Sequence, residues 1–161
     1  LESWYQTNIG SKSDLAKNVT SGAYYCEQAK VKRASYFTSE NANMTTYTSY
    51  IPNFKCTTDG NNKGLVNASV GLITYDEVVY AGGYYGQDNS NYYLYNLSNW
   101  WTMSPVGFVS GSSGVWGVSG YGYITDGNVS NSYLLRPVLN LIANAQISDG
   151  DGTKGNPFIV E

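Results

Sequence analysis

The residues best spaced for acid–base chemistry are two close carboxylate pairs, Asp76 with Glu77 and Asp149 with Asp151. Paired carboxylates hydrolyse glycosides when one is held protonated and the other ionised. Neither pair sits where that is expected. Asp76 and Glu77 fall in the first turn of an expected helix, where acids stabilise the dipole. Asp149 and Asp151 fall in an expected turn. The sequence has no histidine, so the commonest general base and commonest metal ligand are missing. A Ser or Cys nucleophile would need an unusual partner, and Gly-x-Ser-x-Gly does not occur. The expectation is a protein that is not an enzyme and needs no cofactor.

Asp149-Gly150-Asp151-Gly152-Thr153 invites a calcium reading, but the spacing fails. Counted from Asp149, the sixth position is Lys154 where an EF-hand loop needs Gly, and the twelfth is Val160 where it needs Glu. A tight turn between two terminal strands is the better reading, and no metal is expected. The two cysteines, Cys26 and Cys56, stand thirty residues apart without CxxC spacing, a poor metal site. A disulfide is expected, stabilising by about 3–4 kcal/mol on the chain-entropy model. The alternative is two buried free thiols. Arg136, the only basic residue between Lys63 and Lys154, lies in an apolar run and is expected to brace Asp76, Glu77 or backbone carbonyls.

The elements that position these groups read as follows. Leu1, Trp4, Tyr5 and Ile9 recur at helical spacing until Gly10. Ser13 could cap a second helix beginning Asp14-Leu15-Ala16-Lys17. Residues 21–63 read as a long polar covering loop anchored by Tyr24, Tyr25, Tyr36, Phe37, Tyr47, Tyr50 and Phe54. Val70-Gly71-Leu72-Ile73 reads as a short buried strand. Thr74 stands three residues before Glu77, a capping-box spacing that predicts a helix over 75–81, ended by Gly82-Gly83. Strands are predicted at 92–97, at 100–104 up to Pro105, at 115–119 and at 121–124. Asp126-Gly127-Asn128 is then expected as a turn. Residues 134–141 read as an apolar strand interrupted by Arg136-Pro137, and the tail folds back through 149–153. The chain, 1–161, is expected to be a single domain of α+β class.

Composition narrows the function. Charged residues are 13% of the chain, against roughly 25% in typical soluble domains. Net charge is −3 and pI about 4.8, which repels phosphate, so nucleic acid is not an expected partner despite Lys30-Val31-Lys32-Arg33. No apolar run approaches the ~18–20 residues of a membrane helix, so no direct membrane insertion is expected. The disulfide and the Asn-, Thr- and Tyr-rich surface suggest an exported, extracellular protein. The chain opens on Leu1 without a signal peptide, so an export signal or anchor is expected upstream. Five Asn-x-Ser/Thr sequons, at Asn18, Asn43, Asn67, Asn96 and Asn128, scarcely exceed the roughly three expected by chance.

The sharpest signal is a stretch of forty-seven residues, 89–135, whose single charged side chain is Asp126. Twenty-eight of them are Tyr, Ser, Gly or Asn, the palette of antibody paratopes. If Trp116, Val118 and Ile124 face a core, alternation turns Ser119 outward. Tyr121 and Tyr123 then share a face, with Phe108, Asp126, Asn131 and Tyr133 on neighbouring loops. The candidate ligand-binding set is Phe108, Trp116, Ser119, Tyr121, Tyr123, Asp126, Asn131 and Tyr133. Of Trp100 and Trp101, at least one is expected in the core.

The order Trp100-Trp101-Thr102-Met103-Ser104-Pro105, Val115-Trp116-Gly117-Val118, Leu135-Arg136-Pro137-Val138-Leu139-Asn140-Leu141, then Ile147-Ser148-Asp149-Gly150-Asp151-Gly152-Thr153 with Asn156-Pro157-Phe158, resembles a family of exported surface proteins of gut Firmicutes. More distantly it resembles the C-type-lectin-like domains of formylglycine-generating-enzyme and Fibrobacter-type surface groups. The resemblance covers roughly residues 70–160, together with the opening helix. It implies a C-type-lectin-like fold, with two short helices, a mixed, mostly antiparallel sheet and long loops. It also implies a cell-surface adhesin or target-recognition domain for a protein or glycan ligand on another cell or surface. Some such domains are the variable proteins of diversity-generating retroelements. No reactive cysteine follows Cys56 and Gln87-Asp88 lacks the lectin proline, so neither formylglycine chemistry nor calcium-dependent sugar binding carries over. The competing expectation is a structural subunit of a pilus or surface layer, its aromatics packed on sister subunits.

Overall fold

The structure, a computed structural model, describes residues 1–26, 65–109, 111–153 and 155–161, with 107–109 described by backbone alone. The expected loop anchors Tyr36, Phe37, Tyr47, Tyr50 and Phe54, the basic cluster at 30–33 and Cys56 lie outside the described residues. The helices are α1 (Glu2–Tyr5), which runs on into a π-helical turn (Gln6–Gly10), α2 (Ser13–Ala16) and α3 (Tyr75–Tyr80). The first strands are β1 (Ala23–Cys26), β2 (Leu65–Ala68), β3 (Gly71–Leu72) and β4 (Tyr84–Tyr85). The longer strands follow: β5 (Trp100–Val109), β6 (Ser112–Val118) and β7 (Tyr123–Asn128). Short strands close the chain: β8 (Leu134–Leu135), β9 (Pro137–Val138), β10 (Ile147–Asp149) and β11 (Ile159–Val160). The class is α+β with few short helices and mixed sheets. Among the described residues no helix is long and apolar enough to cross a membrane.

Within 1–161, contacts separate two compact units. The first comprises Leu1–Tyr25, Val66–Leu72 and Pro137–Glu161. Its core is small: Tyr5, Val19 and Val70 are buried, with Ile9 and Leu139 against them. The helical spacing of Tyr5 and Ile9 is what turns both to this cluster. Helix α2 is capped at Lys12 without a side-chain bond, so Ser13 lies inside the helix and is not its cap. β1 and β2 pair, so the expected loop is strand where it passes through 23–26. Cys26 ends β1 and is not a free thiol. β3 pairs antiparallel with β9, and the Tyr25 hydroxyl donates to the Val138 carbonyl at 3.3 Å. The tail folds back as expected, with β10 antiparallel to β11.

The second unit comprises Cys26–Leu65 and Ile73–Arg136, and its described part holds the main core. Five strands lie in the order β4-β7-β6-β5-β8, parallel at both edges and antiparallel between. Trp100, Trp116, Val118, Ile124 and Val78 are fully buried on one face of this sheet. Helix α3 lies there because Thr74 and Glu77 complete the expected capping box, Thr74 accepting from the Glu77 N–H at 3.3 Å. The helix ends in a Schellman motif: Gly83 N–H donates to Val78 and Gly82 N–H to Val79. Gly82 supplies the left-handed residue this needs, at φ +100°.

Three sequence expectations fail here for physical reasons. Residues 92–97 are not a strand. Tyr92 and Leu94 do point inward and Tyr93 outward, but side-chain amides hold the backbone instead of a neighbouring strand. Asn89 Nδ2 donates to Gly82 O, and Asn96 Oδ1 accepts from Ser98 N–H. Pro105 does not end its strand. Among the described residues β8 pairs only with Trp100 and Trp101, and the β5–β6 register shifts on either side of Pro105, an irregularity that accommodates its missing N–H. Asp126-Gly127-Asn128 belongs to β7, and the turn follows it, held by Asn128 Oδ1 accepting from Ser130 N–H at 2.9 Å. Residues 134–141 break into β8 and β9, which belong to different sheets, with Arg136 between.

Candidate functional site

The sheet register sorts the aromatic side chains into two sets. Trp100, Val118 and Ile124 stand in one cross-strand row and are fully buried. The adjacent row, Trp101, Gly117 and Thr125, therefore faces the other way. The same alternation works at the edge. Tyr85, paired with Ile124, packs on the core, so Tyr84 and its partner Tyr123 face outward. The outer face thus carries Tyr84, Tyr123 and Trp101 on three different strands.

Two further rings extend this face. Tyr121, 68% exposed, lies parallel to Tyr123 with ring centroids 6.4 Å apart and planes 4° from parallel. At the centre, Trp101 stacks on Tyr133 at 4.2 Å and 25°. The pair lies close over bare backbone: a Cβ at Gly127 would meet Trp101 at 2.7 Å and Tyr133 at 3.3 Å, and one at Gly117 would meet both rings within 3.6 Å. Glycine on two neighbouring strands lets two flat rings settle onto the sheet.

The turn that presents Tyr121 is built from polar groups. Ser119 N–H donates to Tyr123 O, Tyr121 N–H donates to Ser119 Oγ at 3.1 Å, and Asn99 Oδ1 accepts from Gly120 N–H at 2.7 Å. Asn89 N–H donates to Tyr121 O. Exposed Tyr93 and Leu97 occupy the 89–99 segment that braces this turn.

The eight expected site residues therefore separate. Tyr121, Tyr123 and Tyr133 reach the outer face. Trp116 does not: it is fully buried, ring to ring with Tyr75 at 4.8 Å, and is core. Ser119 is buried too, because β6 ends at Val118 and the chain turns there, so alternation no longer applies. Asp126 is exposed near the opposite end of β7 from Tyr123, and Asn131 lies in the turn beyond it. Phe108 pairs through its backbone with Ser113. Sequence reasoning missed Trp101 and Tyr84. Gly117, isolated inside a predicted strand, was the available signal for Trp101, and nothing short of the register places Tyr84.

Near the hairpin end, Val106, Ser112, Ser113, Asp126 and Asn128 help to line a pocket of about 170 Å³. Several other polar groups make contacts within the fold. Arg136 braces the core, donating to the Leu94 carbonyl with its guanidinium 4.9 Å over the Trp100 ring, the expected strut to a backbone carbonyl. Tyr92 beside it is buried with its hydroxyl unpartnered among the described residues, and burial pushes its pKa up to about 12 against the partial opposition of Arg136. Glu77 caps its own helix and Asp76 is buried in the same turn. In the terminal turn, the Thr153 hydroxyl and N–H hold Asp151 below the usual carboxylate range. No protein-family model matches the chain, and neither a curated protein nor a solved structure matches it.

Proposed function

We propose that the chain is an extracellular, C-type-lectin-like recognition domain, displayed at a cell surface as an adhesin or target-binding module and not an enzyme. Its ligand surface is the outer face of the five-stranded sheet. The observation that carries this reading is the row Tyr84, Tyr123, Tyr121 with Trp101 and Tyr133: aromatic rings from three strands and two flanking segments on one face of the sheet. Tyrosine and tryptophan give a partner large contact area at little entropy cost, and their polar tips fix orientation. The short helices, mixed sheet and long irregular segments suit the C-type-lectin-like class. The partner is a protein or glycan presented on another cell or surface.

Glycan- and protein-array binding of the wild-type chain beside the Tyr121→Ala/Tyr123→Ala double variant tests the proposal. A ligand retained by the wild type and lost by the variant supports it. Attachment unchanged by the variant, with self-assembly lost instead, would turn the reading to a pilus or surface-layer subunit. The retroelement form of the proposal is tested in the neighbouring DNA. A reverse-transcriptase gene with a near-copy of the segment coding for residues 101–141 is the expected signature.

A further inference from the structure

We propose that the pocket at the end of β6 and β7 beside the β5–β6 hairpin binds a primary ammonium group, the chemistry shared by a lysine side chain and an amino sugar. The inference builds on the reading of Asp126 as ligand-facing but does not depend on the tyrosine face.

Asp126 is the only charged side chain in 89–135, and it is exposed at the pocket. Its carboxylate accepts no hydrogen bond and faces no cation among the described residues; outside the strand ladder, the bond at this residue goes to its backbone carbonyl, from Thr125 Oγ1. The hydroxyls of Ser112 and Ser113 are likewise unengaged among the described residues. Arg136, the nearest basic residue in sequence, is occupied against Leu94 and Trp100. An anion in a chain of net charge −3 has thus been left open at a concavity rather than neutralised.

The shape and donor count select the ligand. About 170 Å³ suits one sugar ring or one side chain, not a polymer. An ammonium carries three donors and no acceptor. The two Asp126 carboxylate oxygens and the Ser112 hydroxyl, on one face of the sheet by strand alternation, offer three acceptors, with Val106 as an apolar wall for the adjoining carbons. A calcium ion wants six to eight oxygens and more than one negative charge, which this pocket does not supply. The carboxylate is also rigidly carried. Asp126 stands directly across the strand pair from Trp116, whose burial in the core fixes the register.

The test is amide chemical-shift titration of the whole chain with four small probes and a guanidinium control, Nα-acetyl-arginine amide. Two are charged, Nα-acetyl-lysine amide and glucosamine; two are their neutral counterparts, Nα-acetyl-norleucine amide and N-acetylglucosamine. The charged members should shift the amides of Gly114, Gly127 and Asn128 saturably, and the neutral members should not. Asp126→Asn should weaken the charged probes at least about tenfold, the loss of one charge-assisted bond. In the unmodified protein, raising salt from about 20 to about 500 mM should weaken them as well. Tyr121→Ala/Tyr123→Ala should leave these shifts alone, so the pocket and the tyrosine face fail or stand separately. Whichever charged probe binds more tightly names the source of the ammonium. Equal shifts from the neutral probes, undiminished binding to Asp126→Asn or without salt dependence, or tighter binding of Nα-acetyl-arginine amide would overturn the proposal.

Discussion

Trp101 stacks on Tyr133 at 4.2 Å, and the pair rests on Gly127, whose absent side chain leaves the room for both rings. A methyl there would sit 2.7 Å from the indole, and the indole spans a sheet whose neighbouring strands are fixed by the core. Gly127→Ala should therefore destabilise by about 1–3 kcal/mol, the usual cost of overpacking. It should also blunt ligand binding more than the stability loss explains, because it lifts the central rings off the face. Chemical denaturation together with tryptophan fluorescence checks this. An unshifted emission spectrum would mean that the rings had not moved.

Tyr92 offers a pH test. Its folded pKa of about 12 lies above the ordinary tyrosine value of 10.0, so the folded chain keeps the proton longer than the unfolded one. The associated stability is complete below about pH 10 and is lost as pH rises through about 12, on the order of 2–3 kcal/mol. Tyr92→Phe should remove this group's share of alkaline destabilisation, and at neutral pH should be stabilising by about 1 kcal/mol, since the lost hydroxyl is buried and unpartnered. Denaturant melts at stepped pH between about 8 and 12 read both effects. A slope unchanged from wild type would refute the assignment.

The reciprocal cap of α3 predicts an asymmetry. Thr74 accepts from Glu77 N–H, and Glu77 Oε2 accepts from Thr74 N–H at 2.7 Å and from its hydroxyl at 2.8 Å. Thr74→Ala should cost about 0.5–2 kcal/mol, whereas Thr74→Ser should restore most of it. Equilibrium unfolding of the two variants makes the comparison.

Cys26 is not a free thiol, and the sequence holds one other cysteine, Cys56. The proposed Cys26–Cys56 bridge should survive non-reducing proteolysis as one linked peptide pair in mass spectrometry. Reduction should lower stability by about 3–4 kcal/mol. Two separate peptides under non-reducing conditions would exclude it.

What could be read from the sequence divides along a physical line. Features fixed by local hydrogen bonding were legible: the Thr74–Glu77 cap, the Gly82-Gly83 stop, the returning tail. So were the burial of at least one of Trp100 and Trp101 and the bracing role of Arg136, because a cation in an apolar run has few alternatives. The face of each aromatic was less so. Trp116 and Tyr123 look equally ring-like in one dimension, and only the pairing of β6 with β7 and of β4 with β7 sends one inward and the other out. The 92–97 segment alternates like a strand but finds no partner, a distinction made by amides from Asn89 and Asn96 rather than by any periodicity. Gly127 reads as a turn residue until the indole resting on it is known.

Both outer strands of the five-stranded sheet, β4 and β8, are two residues long. They cover β5 only at Trp100 and Trp101 and β7 only at Tyr123 and Ile124; further along, Pro105 and the register shifts beside it break up the β5 ladder, which blunts pairing with another polypeptide. Copies held side by side at high density would touch through their rings and hydroxyls, not through shared main-chain bonds, and stay separable. A sticky exterior is in this way uncoupled from runaway polymerisation.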